Sequence, residues 1–327
     1  MASRVNVQND PVLTNIYLGY MPGDQEFIRT QILPLMPVSE SKADLVTLGS
    51  LANEALQIHA KVLIGSTGTP EIEVTITKQD GYETRENGLK IRLTKQIAKN
   101  FNKSDWQAGM DKGVRMFTKM LKTAYLTAKE YALMSQIFTA TNYDATNKVT
   151  LSGTDQFNDY AASDPISVIN DAFNAINDDI GRLPNIAVMN LATFLVMRHH
   201  PQLKRTAGIA PTGTVPVRAL NRAELATAMG VDRIAVGNVM YETAGKGLTS
   251  SRSQIWGKKL LLAYVNPSPQ PEQFETSMGY TFQLDPEVVD LYEPDDPKHV
   301  KFIRVYEDFV DTILSFDAAY LISDVIA

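Results

Sequence analysis

The sequence contains no cysteine. That removes disulfide frameworks, thiolate metal sites and cysteine nucleophiles from consideration. It also lacks a surplus of positive charge. Lys and Arg number 31 against 37 Asp and Glu, for a formal net charge of −6. A dedicated nucleic-acid binder is normally basic, so that class is disfavoured. No uninterrupted apolar run approaches membrane-spanning length. The opening "MASRVNVQND" lacks the charged-then-apolar pattern of a secretory signal. The expectation is a soluble protein made in a reducing cytoplasm, with no membrane partner.

Catalytic signatures are also missing. There is no G-x-S-x-G elbow. Gly245-Lys246-Gly247 and "GIAPTG" (residues 208–213) are glycine loops without phosphate-loop spacing. His59, His199, His200 and His299 include no i, i+4 pair. They read as surface or helix-end residues rather than metal ligands. Asp285, Glu287, Asp290, Glu293, Asp295 and Asp296 form an acidic run. Two prolines break the spacing of a calcium loop, so a solvated loop is expected. No catalytic residue, cofactor or metal site is expected.

What is present is a globular composition, 44% apolar and 21% charged over 327 residues, enough for a sizeable core. Residues 11–38 are rich in Leu, Ile, Tyr and Phe, yet hold no helical or strand period and carry four prolines. They read as an irregular, mostly extended arm. Alternation in "LQIHAKVLI" and "EIEVTIT" around "GSTGTP" predicts a hairpin. "GLKIRLTKQI" alternates as a strand. A long helix is predicted over 105–140, with Ser104 as cap and Gln107 as box partner. Its apolar face runs through Trp106, Met110, Phe117, Leu121, Ala124, Ala128, Ala132 and Ser135. Lys112, Arg115, Lys119, Lys122 and Lys129 line another face.

From Pro165 the texture alternates between helix and strand. Asp164 caps a helix with Pro165 at its first position, and Asn221 with Glu224 forms a capping box closed by Gly230. "HVKFIRVYEDFVDTIL" is a long strand candidate.

The arm "DPVLTNIYLGYMPGDQEFIRTQILPLMPV" resembles the N-terminal arm of tailed-bacteriophage major capsid proteins. "YETRENGLKIRLTKQIAKNFNKSDWQ" resembles their strand entering the spine helix. "LPNIAVMNLATFLVMRHHPQLK", "LNRAELATAMGVDRIAVGNVMYETA" and "IWGKKLLLAYV" resemble their axial domain. The order holds over nearly the whole chain. The resemblance implies an α+β, Hong Kong phage-type capsid fold. Its parts would be an N-terminal arm (1–37), an extended-loop hairpin (38–85), a peripheral domain (86–163 and 275–327) with spine helix 105–140, and an axial domain (164–274).

The resemblance also implies a function. Copies of the chain would form pentamers and hexamers of an icosahedral shell, assembled in the host bacterial cytoplasm and ending in the virion. A separate scaffolding protein, a portal and packaged double-stranded DNA, held by non-specific contact, would be partners. Leu13, Ile16, Tyr17, Tyr20, Phe27 and Ile28 in the arm, with Ile72 and Val74 in the hairpin, would be inter-subunit contacts. Lys112, Arg115, Lys119 and Lys122 would form a basic stripe facing the lumen. Some family members ligate a Lys to an Asn with the help of a buried Glu, but no local motif places that trio here. Two alternatives remain: an encapsulin-like cellular compartment, and an α/β enzyme built on residues 165–266.

Overall fold

The structure is a computed structural model. It describes residues 6–20, 26–47, 77–209, 218–245, 247–267, 277–293 and 300–327. The arm supplies β1 (Asn6–Asn9), α1 (Pro11–Gly19), α2 (Arg29–Ile32) and β2 (Leu35–Pro37). Next come β3 (Lys42–Thr47), β4 (Thr77–Glu83), β5 (Arg85–Thr94), α3 (Lys95–Phe101) and the spine helix α4 (Trp106–Ile137). The middle of the chain holds β6 (Lys148–Thr150), α5 (Pro165–Ile180), β7 (Ile186–Asn190), α6 (Leu191–Met197), α7 (Pro201–Thr206) and α8 (Arg222–Met229). Then follow β8 (Arg233–Gly237), β9 (Met240–Glu242), β10 (Arg252–Gln254), β11 (Leu260–Ala263), β12 (Gly279–Glu293), β13 (Val300–Ile313) and β14 (Ala319–Ser323).

Two larger sheets organise the chain. The first runs β1-β12-β13-β5, with β2 added in parallel to β12. The acidic run lies on β12 as far as residue 293, not in a loop. Pro286 is tolerated because the β12–β13 register shifts on either side of Asp285, and such bulges are where a strand accepts proline. The second sheet runs β6-β14-β11-β7-β8. Strands β6 and β14 therefore lie outside the sheet formed by the rest of segments 86–163 and 275–327. Residues 165–266 do not form a separate unit, because β11 pairs with β14. Strands β3 and β4 pair antiparallel at the base of the expected hairpin. The hairpin's remaining residues, 48–76, lie outside the described residues.

Local chemistry explains the helices. Asp105, rather than Ser104, caps α4 by accepting from the Gln107 and Ala108 amides. Asn221 and Glu224 close the capping box of α8, and Gly230 ends it at φ 74°, a conformation that favours glycine. Pro201 opens α7 at its first position. Gly109 lets α3 lie against α4, since a Cβ there would meet the Ala98 carbonyl oxygen at 2.3 Å.

Side chains alternate across a sheet, and both faces of the second sheet are buried. Ala187, Met189, Leu260, Leu262 and Ile322 pack under helices α5 to α8. Ile186, Val188, Leu261, Ala263 and Leu321 pack against Leu133 and Ile137 of the spine and against Ile28, Ile32 and Leu33 of the arm. The arm is a working part of this chain's own core. Leu33→Ala should therefore lower the unfolding free energy of the unassembled subunit by about 2–5 kcal/mol. A urea titration checks this, and a loss below about 1 kcal/mol would show that the arm is not core.

Candidate functional site

The arm seats itself through polar contacts that its sequence does not advertise. Asp10 accepts from the Val12 and Leu13 amides at 2.9 and 3.1 Å, and Pro11 occupies the first turn. This makes α1 helical, against the extended reading. Leu13 and Tyr17, one turn apart, then insert among Leu93, Met110, Leu121, Tyr125, Val289 and Ile303. The Lys122 ammonium donates to the Leu18 carbonyl at 3.1 Å and sits 5.1 Å from the Tyr17 ring. Lys122 is 5% exposed, and burial lowers its pKa.

Further on, the Ile28 and Arg29 amides donate to the two carboxylate oxygens of Glu130 at 2.9 and 3.2 Å. Trp256 Nε1 donates to the same carboxylate at 2.8 Å. Glu130 is 1% exposed. Burial raises its pKa, and the donors from Ile28, Trp256 and Arg29 oppose that rise. Arg29 grips Asp311 through Nε and Nη2 at 2.9 and 2.5 Å and lies over the Phe309 ring. Beside Glu130, Lys129 pairs with Glu307 and, at 3.2 Å, with Glu287. Glu307 also accepts from the Tyr125 hydroxyl and Gln283 Nε2. Burial raises the pKa of Glu307, opposed by Lys129. On the other side of the arm, Glu26 receives a two-pronged contact from Arg222 at 2.6 and 2.5 Å. Every one of these groups is turned toward a partner in the chain, which suits a structural junction.

The expected contact residues divide. Leu13, Tyr17 and Ile28 are buried in this chain's own core and have no surface to offer a neighbour. Residues without a local period of their own are satisfied here by distant elements of the same chain. Ile16, Tyr20 and Phe27 remain half-buried. Ile72 and Val74 lie outside the described residues. In the basic stripe, Lys112, Arg115 and Lys119 are exposed and Lys122 is not. Lys122 is drawn inward because the end of α1 presents it with a carbonyl. Nothing in the sequence marks Glu130, Glu307 and Arg29, since isolated charges read as wet surface.

Of the histidines, His199 is exposed and His200 is fully buried; His59 and His299 lie outside the described residues. His200 caps α7 by accepting from the Gln202 amide through Nδ1 at 3.3 Å. Its Nε2 faces the Ser163 hydroxyl at 3.1 Å, which itself donates to the Asp159 carbonyl. That chain of bonds requires a neutral ring with the proton on Nε2. Among the described residues, no cluster of three or more His, Asp or Glu is placed to hold a metal.

No protein-family model matches the chain. The major capsid protein of Burkholderia phage BcepMu is 27% identical over 324 residues, 97% of this chain and 96% of its own. The major capsid protein of Pseudomonas phage JBD67 is 28% identical over 289 residues, 84% of this chain and 81% of its own. Among solved structures, a phage-related protein from Bordetella bronchiseptica superposes with a TM-score of 0.69 at 23% identity, covering 99% of both chains. The capsid of a native GTA particle superposes at 0.52 with 13% identity, covering 93% of this chain and 92% of the other. The chain is a homologue of phage major capsid proteins and carries the Hong Kong phage capsid fold.

Two outcomes follow from the junction and the histidine. Glu130→Ala would leave three buried donors without an acceptor, each costing about 1–3 kcal/mol. The unassembled variant should lose at least ~3 kcal/mol in a urea titration, and retention of wild-type stability would exclude the junction role. Burial lowers the folded-state pKa of His200 below the ordinary 6.5, partly opposed by Asp164. Between the folded and unfolded pKa values the unfolded chain binds more protons, so stability rises with pH there. Its contribution is full above about pH 6.5 and is lost as pH falls toward the folded value. Melting curves from pH 7.5 to 5.5 should show this fall, and His200→Gln should flatten it.

Proposed function

We infer that this chain is the major head protein of a tailed double-stranded DNA bacteriophage and that it self-assembles into an icosahedral shell around the genome. The observation that carries the reading is the near full-length likeness to two phage major capsid proteins, joined to the capsid fold. Its role is structural rather than catalytic. Pentamers and hexamers form the shell in the host bacterial cytoplasm, a separate scaffolding protein and a portal take part, and the finished particle is the virion. The two relatives come from phages, which favours this reading over a cargo compartment. Arm 1–37, extended loop 38–85 and spine helix keep the roles that the resemblance implies, with β6 and β14 assigned to the axial unit.

Neighbouring subunits bear on what the chain leaves exposed. Of the expected arm contacts, Ile16, Tyr20 and Phe27 keep surface of their own, and Ile72 and Val74 keep the inter-subunit role that the resemblance implies. Lys112, Arg115 and Lys119 face the lumen and soften the repulsion between an acidic subunit and packaged DNA. Such contacts are sequence-blind and weaken with salt.

The purified protein should sediment as megadalton shells or their capsomers, and electron micrographs should show closed particles. A monomer at all concentrations would overturn the reading. Lys112→Glu with Lys119→Glu should leave the subunit's melting temperature unchanged and reduce the DNA retained by the particle. Unchanged DNA content would remove the lumenal role of the stripe.

A further inference from the structure

The outer face of the spine helix carries more than cations. Met116 and Met120 are 48% and 58% exposed, although the same stretch buries Met110, Val114 and Leu121. The two methionines stand one turn apart and so form one continuous apolar strip. Lys112, Arg115 and Lys119 flank it, all exposed. Among the described residues, none of the three is paired with a carboxylate. Lys119 lies 5.3 Å from the Tyr20 ring, so the half-buried end of α1 adjoins the patch. A chain of net charge −6 thus concentrates three exposed cations beside two exposed methionines within about two and a half helical turns.

We propose that this face is the docking surface for an acidic amphipathic helix of a separate assembly protein. The charge asks for an acidic partner. The methionines decide which kind. Phosphate contacts use the cations alone and leave an apolar strip in water. A helix laid alongside buries the strip under its own apolar stripe and sets its acidic flank against the cations. Methionine suits such a surface, because its unbranched side chain adapts to the opposing shape. The proposal rests on the shell reading, in that the partner acts during assembly. It names a partner class and two residues that the reading itself does not use.

The test uses the full chain as unassembled subunit. The probes are a labelled ~20-residue peptide with Leu at helical spacing and Glu on its flanks, a scrambled peptide of the same composition, and a DNA duplex about 20 base pairs long. Fluorescence anisotropy should show the periodic peptide binding about tenfold more tightly than the scrambled one. Met116→Ser with Met120→Ser should lower its affinity about tenfold while leaving the melting temperature unchanged. Lys112→Glu with Lys119→Glu should weaken both peptides, a charge effect that salt reproduces. Equal binding of the two peptides would overturn the proposal. So would serine variants with undiminished affinity, or DNA binding more tightly than the periodic peptide. Sedimentation of the same preparation keeps the two readings apart. Shells without peptide recognition sink this inference alone, whereas a permanent monomer sinks the function as well.

Discussion

The carboxylate of Glu130 is the point at which three parts of the molecule meet. Its oxygens take the amides of Ile28 and Arg29 from the arm and the indole N–H of Trp256 from the segment before β11. A buried anion is unfavourable unless donors replace the water it lost. Here three donors do so, and none of them can move independently afterwards. The arm must cross the spine at residues 28 and 29, and Trp256 must pack close against Gly237 of β8. Gly237 makes room for that indole, since a Cβ there would stand 2.1 Å from Trp256 Cδ1. Lys129, the preceding residue, pairs with Glu287 and Glu307 of the first sheet, so adjacent spine residues tie the helix to that sheet and to the arm.

With the crossing fixed, the arm's apolar residues fall where core is needed. Tyr17 fills the space between spine and first sheet. Ile28, Ile32 and Leu33 cover the face of the second sheet that its own helices leave open. Met36 joins Tyr82 and Phe282, whose rings stack at 4.3 Å, between the first sheet and the base of the hairpin. A segment with no period of its own is thus satisfied three times over by elements far away in sequence. Its backbone follows suit: β2 runs parallel to β12, and the Gln31 carbonyl accepts from Arg233.

The sequence makes much of this legible, though unevenly. Caps and stops depend on neighbouring residues, so Asp164, Asn221 with Glu224, and Gly230 announce α5 and α8. A long run rich in Val, Ile, Phe and Tyr makes β13 plain, since such residues favour strands. The buried face of the spine is another matter. Ala124, Ala128 and Ala132 match a helical stripe but face solvent, while Lys122 and Glu130 are buried. Apolar periodicity cannot find a face whose charges are matched by partners more than a hundred residues away. Helix α1 was hidden for the opposite reason. Asp10 and Pro11 form a sound helix start, but the prolines downstream suggested that nothing regular could follow. His200 combined both difficulties, a helix end that is also a fully buried one.

The division between buried and exposed charge bears on what the chain can offer to another molecule. Arg29, Lys122, Lys129, Glu130 and Glu307 are committed within the chain, where removing one partner is expensive. They cannot serve as reversible contacts. The charges left free for other molecules are exposed ones, such as Lys112, Arg115 and Lys119, each worth little alone in water. Their apolar neighbours Met116 and Met120 add contact area without adding a buried ion. Weak, salt-screened contacts repeated across many copies sum to firm association while each remains breakable. The contacts of Glu130 and Glu307 lie in the interior, so they hold the single chain together whatever its surface is bound to.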